Sequence, residues 1–376
     1  VVSVDESVGV ASNRAAFSPI KPALGFGPYF LSCRRISKND AAALPCLFPS
    51  PAAAQALSLD GMKVLVTGAA GFVGTYMLDA LRTAGAEIVA LATDPPEIPT
   101  AVPEVTWRYG DLRDERYVAD VVDAARPDTV IHLAAISHVP TAAADPALAW
   151  DVNVTATARL LHELGRARDA GRIDPTVLVV GSAEQYGRHD THESPLVESS
   201  VQAPRTVYAA TKAAQELLAL QCWRATGLKV VVARSFNHSG RGQPTRFLLP
   251  ALVQRAVELR GAAPGTSMPV GNRSPVRDFL HVSDVVAAYI SLCQRGAPGE
   301  AYNVASGTGW SVQQILDRVL ARAGVQATPV EDPALVRPVD VPVLVGDSHK
   351  LQRATGWSTT RALDDIIDDL LHAATL

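Results

Sequence analysis

From Lys63 onward, short apolar runs alternate with longer stretches whose apolar positions recur at helical spacing. The runs Val64–Thr67, Glu87–Leu91, Thr106–Tyr109, Thr129–Leu133, Thr176–Val180 and Lys229–Ala233 predict strands buried on both faces. Helices are predicted between them, over Phe72–Thr83, Glu115–Ala125, Ala147–Arg168 and Ala210–Ala225. This alternation is the mark of parallel strands joined by crossover helices, so the fold class is α/β with a doubly wound parallel sheet. After about Asn237 it gives way to Gly- and Pro-rich loops, with helical segments near Leu248–Leu259, Ser283–Cys293, Val312–Ala323 and Ala362–Leu371. The change predicts a dinucleotide-sized domain over 62–236. A smaller α/β substrate lobe would occupy 237–376, with some of its elements returning to the first domain. Ligands of open α/β sheets bind beyond the carboxyl ends of the strands, which puts the expected site in the cleft between the two parts.

Residues 1–61 lack both periods, are rich in Ala, Pro and Ser and contain no methionine, which predicts a disordered extension ahead of a natural start near Met62. A transit peptide is the alternative, but Asp5, Glu6 and Asp40 fit it poorly. Over the whole chain of 376 residues, 48% are apolar and 19% charged, a balance that folds. A net charge of −4 removes the broad basic footprint of a nucleic-acid binder and leaves room for a local basic cleft. The four cysteines, Cys33, Cys46, Cys222 and Cys293, show neither metal spacing nor disulfide density. No apolar run is long enough to span a bilayer, and a cytoplasmic location is the expectation.

The chemistry begins at Gly68-Ala69-Ala70-Gly71-Phe72-Val73-Gly74, which follows the first strand and opens a helix. Gly68 permits a tight turn, Gly71 lets the backbone approach a pyrophosphate, and Gly74 lets the helix pack closely on the strand. At the first βα junction of a doubly wound (Rossmann) sheet, such a loop predicts a dinucleotide site contacted by Phe72 and Val73. The end of the second strand, Ala92-Thr93-Asp94, places Thr93 near the adenosine ribose. It has neither a well-placed carboxylate nor an arginine, so NAD and NADP both stay open. Asp111 and Leu112, after the third strand, are expected beside the adenine.

Tyr208 and Lys212 stand at i and i+4 on one face of a predicted helix, and Ser182 lies just after the fifth strand. Such a set can move a hydride to or from a carbinol carbon. The phenol exchanges the hydroxyl proton, a nearby ammonium lowers the phenol's pKa, and the serine hydroxyl holds the same oxygen.

With these residues in place, the stretch from about Met62 to the C-terminus resembles the extended short-chain dehydrogenase/reductase family and, within it, the enzymes that act on sugar nucleotides. The likeness rests on the glycine loop, His132-Leu133-Ala134-Ala135, Asn153, the Ser/Tyr/Lys set, Arg234-Ser235-Phe236-Asn237-His238 and Arg277-Asp278-Phe279. It implies that Leu133, Ala134 and Ala135 line the cofactor, NADP or NAD with NADPH favoured. It further implies that Lys212 contacts the nicotinamide ribose and that Ser137 and Asn237 touch substrate. Arg277 with Arg337-Pro338-Val339-Asp340 looks like the arrangement used for GDP-sugars, two arginines on the diphosphate and Asp340 on the ribose hydroxyls. Arg234 is expected to join that basic cleft. Arg241 departs from the pattern, since the related reductases usually carry proline there.

Two reactions compete. One is reduction of the C4 keto group of a GDP-4-dehydro-6-deoxy-hexose; the other is dehydration of GDP-mannose, in which Glu184 would remove the C5 proton. Ser182-Ala183-Glu184 keeps the carboxylate but not the threonine of the dehydratase segment. The glycine loop keeps the form seen in the reductases, which favours reduction. Another nucleotide-sugar epimerase or dehydratase is a further alternative, as is a non-catalytic dinucleotide-sensing scaffold, although the latter commonly loses the Tyr/Lys pair. The family likeness, together with helices that are apolar on more than one face, predicts a homodimer.

Overall fold

The computed structural model describes residues 58–94, 105–187, 195–336 and 341–375. The expectation for residues 1–61 therefore falls, through residue 57, outside the described residues, and so do Arg337 and Asp340.

Six strands follow the apolar runs closely: β1 (Lys63–Thr67), β2 (Glu87–Ala92), β3 (Val105–Tyr109), β4 (Thr129–His132), β5 (Thr176–Val180) and β6 (Lys229–Ser235). Together with a later strand, β10 (Ala301–Val304), they form one seven-stranded parallel sheet in the order β10-β6-β5-β4-β1-β2-β3. Chain order reverses between β1 and β4, which opens the crevice at their carboxyl ends. β3 departs from the expected two-sided burial. It is the edge strand, largely exposed, and its Trp107 and Tyr109 rings stack on one another at 6.0 Å.

Helix α1 (Phe72–Thr83) and helix α2 (Glu115–Ala125) run over the residues their periodicity predicts. The expected single helix over Ala147–Arg168 is instead broken. A short helix α3 (Val139–Ala144) and α4 (Pro146–Trp150) lead into a π-helical turn at Asp151–Thr155, and only then into α5 (Ala156–Asp169). The extra residue in that turn carries Asn153 inward, where its side chain bonds Ile136 and Thr211. Helix α6 (Val207–Thr226) carries the Tyr/Lys pair.

The C-terminal part builds its own core. Strands β7 (Asn237–Ser239), β11 (Gly309–Ser311) and β13 (Val343–Leu344) all pair with β9 (Val276–His281), while β8 (Thr266–Val270) pairs with β12 (Ala327–Glu331). Helices α7 (Leu248–Glu258), α9 (Val312–Ala323) and α11 (Leu363–Ala373) bury Leu252, Ile315, Leu316, Ile366 and Ile367 in one cluster with Met268 and Phe279. Two elements from this part lie with the large sheet, β10 at its edge and α8 (Val282–Arg295) packed on α1, β5 and β6; α10 (His349–Thr355) packs beside α8 and β10. No helix among the described residues is long and apolar enough to cross a membrane.

Candidate active site

The glycine loop shows why small residues are required. Gly68 has φ +67°, and a Cβ there would sit 2.7 Å from the backbone nitrogen of Ala134. At Gly74 a Cβ would lie 2.4 Å from the Ala69 carbonyl oxygen, so the helix can close on the strand only without a side chain. α1 starts at Phe72 from Gly71, which supplies no side-chain cap to the first-turn N–H groups. Those unsatisfied donors, with the dipole behind them, suit a pyrophosphate, so the residues present fit a dinucleotide. Thr93 lies exposed beyond β2, and the Gly110 N–H donates to the Ala92 carbonyl at 3.0 Å, which brings Asp111 and Leu112 alongside it. Asp111 takes a side-chain hydrogen bond from Arg113, which holds its carboxyl below the usual range. Leu112 packs on the core beneath.

Beyond β4, the Ala134 N–H donates to Thr67 Oγ1 at 3.1 Å, tying Leu133-Ala134-Ala135 to the strand that enters the glycine loop. Asn153 grips both backbone groups of Ile136, at 2.8 and 3.1 Å, and so sets the path of the chain into the exposed Ser137.

Ser182 caps a 3₁₀ turn, Ala183–Tyr186, at the carboxyl end of β5, and its N–H donates to Gln185 Oε1 at 2.7 Å. The Ser182 hydroxyl accepts from the Glu184 N–H at 3.2 Å and lies close enough to the Tyr208 phenol to favour its charged form. Burial pushes Tyr208 up to about 12; the neighbouring Ser182 hydroxyl opposes this and the nearby Glu184 charge adds to it. Burial, rather than the expected ammonium, governs the phenol here. Lys212 is itself lowered to about 7 by burial, and its Nζ donates to the Val180 carbonyl at 2.8 Å and to Gln215 Oε1 at 2.9 Å. Ser182, Glu184, Tyr208 and Lys212 thus converge at the end of β5.

The C-terminal part closes on the same edge. Phe72, at the start of α1, stacks on His238 with centroids 6.4 Å apart, and His238 follows Asn237 on β7. The Tyr76 hydroxyl donates to the Arg241 carbonyl at 3.0 Å, and His138, next to Ser137, meets the Phe247 ring edge-on at 5.6 Å. Arg277 is buried on β9, one residue before Asp278, whose carboxylate accepts from Ser306, Gly307 and Gly346.

Arg234 does not join this cleft. It is buried in a bidentate pair with Glu216, at 2.6 and 2.9 Å, and donates onward to the Tyr186 hydroxyl and the Glu198 carbonyl. Gln185 and Gln202 donate to the same carboxylate. Burial alone would raise Glu216, but Arg234 and these amides hold it below the usual range. Through Gln185 the pair is tied to the 3₁₀ turn that follows Ser182. A conspicuous arginine in a motif cannot reveal, from sequence alone, whether a carboxylate one helix away already claims it.

A family model described as GDP-mannose 4,6 dehydratase matches residues 65–370, which covers both parts of the structure. The chain belongs to that family. GDP-6-deoxy-D-mannose reductase of Pseudomonas aeruginosa is 32% identical over 295 residues, 78% of this chain and 91% of its own length. The structure of RMD from Pseudomonas aeruginosa complexed with NADPH is 29% identical and superposes with a TM-score of 0.71, covering 83% of this chain and 98% of that one. The UDP-glucose 4-epimerase of Thermus thermophilus in complex with NAD is 27% identical, with a TM-score of 0.72 over 84% and 99% of the two chains. As a member of the family this chain is a nucleotide-sugar enzyme of the short-chain dehydrogenase/reductase type. Its fold is the parallel Rossmann-like sheet of these neighbours, which hold NAD or NADPH.

Proposed function

We propose that the protein reduces the C4 keto group of a GDP-4-dehydro-6-deoxy-hexose, with NADPH as reductant. The observation that carries this reading is the convergence of Ser182, Tyr208 and Lys212 at the end of β5, with Lys212 one helical turn after Tyr208 on α6. The likeness to GDP-6-deoxy-D-mannose reductase supports the choice of reaction within the family, and the NADPH complex of RMD supports the reductant.

Gly68, Gly71, Phe72, Val73, Gly74, Thr93, Asp111, Leu112, Leu133, Ala134 and Ala135 would hold a nicotinamide dinucleotide, which would supply the hydride when bound. Tyr208 donates the proton to O4, and a phenol kept protonated by burial is loaded for that direction. Ser182 donates a hydrogen bond to the same oxygen and so favours charge developing there. Lys212 orients the nicotinamide ribose. Ser137, Asn237, Arg277, Arg337 and Asp340 take the nucleotide-sugar, and a cytoplasmic homodimer is the working form. Glu184 lies close enough to bear on Tyr208 electrostatically and would be the C5 base in the competing dehydratase reading.

A product-resolved assay decides between them. Purified protein given the 4-keto-6-deoxy derivative of GDP-mannose should oxidise NADPH and form the 4-hydroxy sugar, while GDP-mannose alone stays intact. If GDP-mannose loses water and no keto substrate is reduced, dehydration replaces reduction. Turnover without added reductant would point to an epimerase.

A further inference from the structure

Beneath the candidate site lies a wholly buried line of polar side chains whose donors and acceptors can be assigned one by one. Thr67, His132, Thr157 and Gln215 are all at most 1% exposed, and Lys212 is 4% exposed. The Thr157 hydroxyl donates its one hydrogen to the Asn153 carbonyl at 2.8 Å. Toward His132 Nε2 at 2.8 Å and Gln215 Nε2 at 2.8 Å, the Thr157 oxygen can therefore only accept. This places the imidazole hydrogen on Nε2, which leaves Nδ1 as the acceptor of the Thr67 hydroxyl at 2.7 Å, while Thr67 Oγ1 accepts from the Ala134 N–H. It also fixes the Gln215 amide. The NH₂ group faces Thr157, so only the oxygen can face Lys212 Nζ.

We propose that Gln215 is a positioning residue for Lys212, its side-chain oxygen presented to the amine in one orientation dictated through Thr157 by the Asn153 carbonyl. Val180 supplies the second acceptor, so Lys212 Nζ meets two oxygens that can do nothing but accept. Both favour the charged amine against the burial that disfavours it, and they occupy two of its three N–H directions. The third remains for the cofactor and tyrosine side. His132 stays neutral in this line because burial, and then the Lys212 charge, lower it to about 3. The other ionisable groups around α6 are accounted for. Tyr208 has Ser182 and Glu184 near it, Glu216 is neutralised by Arg234, and Asp151 on the π turn faces Arg113 and Arg159.

The significance of Lys212 rests on the oxidoreductase reading above, whereas the orientation of Gln215 does not, and the test separates them. The chain has only six lysines (Lys21, Lys38, Lys63, Lys212, Lys229 and Lys350), so protein labelled with ε-¹³C-lysine gives a countable spectrum in which the Lys212 resonance is assigned by its loss in Lys212→Met. Gln215→Leu should lower the Lys212 titration midpoint by roughly half to one pH unit. Gln215→Glu should raise it. Thr157→Val frees the amide to turn its NH₂ group toward Lys212 and should lower the midpoint as Gln215→Leu does, whereas Thr157→Ser should restore it. In turnover, the alkaline limb of kcat should follow the same order. Midpoints that are unchanged across the Gln215 variants, or that move in the same direction for Leu and Glu, overturn the proposal. Should one variant fail to fold, the others carry the test. Shifts of the expected sign in a protein that reduces no keto sugar would uphold the positioning role while removing the reductase reading.

Discussion

At the scale of single residues, burial decides the chemistry. Tyr208 and Lys212 are both displaced from their ordinary values chiefly by loss of water, in opposite directions, and the phenol is left loaded with a proton. Tyr208→Phe removes the proton donor and leaves the ring, so turnover should fall by about 10²–10⁴-fold while cofactor affinity measured by nucleotide fluorescence is retained. Unchanged turnover would remove Tyr208 from the mechanism. His132 gives a stability prediction. Its folded pKa, about 3, lies below the ordinary 6.5, so between those values the unfolded chain binds more protons than the folded one. The neutral imidazole's contribution is complete above about pH 6.5 and drains away as the pH falls toward 3. Integrated from pH 7 to pH 5, the wild type should lose about 2 kcal/mol more unfolding free energy than His132→Gln, read from urea titrations at the two pH values. Equal losses would show that His132 is not held neutral.

Among the elements, the strands and most helices are legible in the sequence because a buried parallel strand and an amphipathic helix each impose a period on many residues at once. Helix α1 and helix α9 fall on their predicted residues for that reason. A one-residue expansion leaves no such trace. The π turn at Asp151–Thr155 shifts apolar positions by less than the periodicity can register, and its cause is a set of contacts to Ile136 and Thr211, 17 and 58 residues away in sequence. β3 differs from its expected burial for a related reason, since position within the sheet, not local composition, decides which strand lies at the edge. The turn also lends Asn153 a task that can be measured. Asn153→Ala unties both backbone groups of Ile136 and strips Thr211 of a donor, which should cost about 2–4 kcal/mol in unfolding free energy. The loosened segment from Leu133 to Ser137 should weaken nucleotide binding several-fold before any effect on the chemical step, a split visible in Kd against kcat. The buried Glu216–Arg234 pair belongs to the same scale. Glu216→Gln leaves an arginine uncompensated at 5% exposure and should cost about 3–5 kcal/mol by thermal or urea unfolding.

For the whole molecule, the site is assembled from residues far apart in the chain, and this limits what sequence can show. Ser182, Tyr208 and Lys212 are close in sequence and carry a recognisable pattern. The partners that fix them, Thr67, His132, Thr157 and Gln215, are ordinary residues distinguished only by where the fold places them. Assembly at the next level follows from α6, which buries one face against the sheet and leaves Leu217 67% exposed, with Trp150 at the end of α4 also exposed at 42%. In the proposed homodimer these side chains would meet their copies across paired helices, because an exposed leucine on a helix of this length gains most by burial against a self-complementary face. Leu217→Glu places a charge opposite its own copy at such a contact, yet it touches no core in the single chain. Light scattering should therefore give twice the chain mass for the wild type and the single-chain mass for the variant, with the secondary structure and the unfolding midpoint of the isolated chain preserved. A wild type that is already monomeric, or a variant that stays dimeric, would move the contact away from α6.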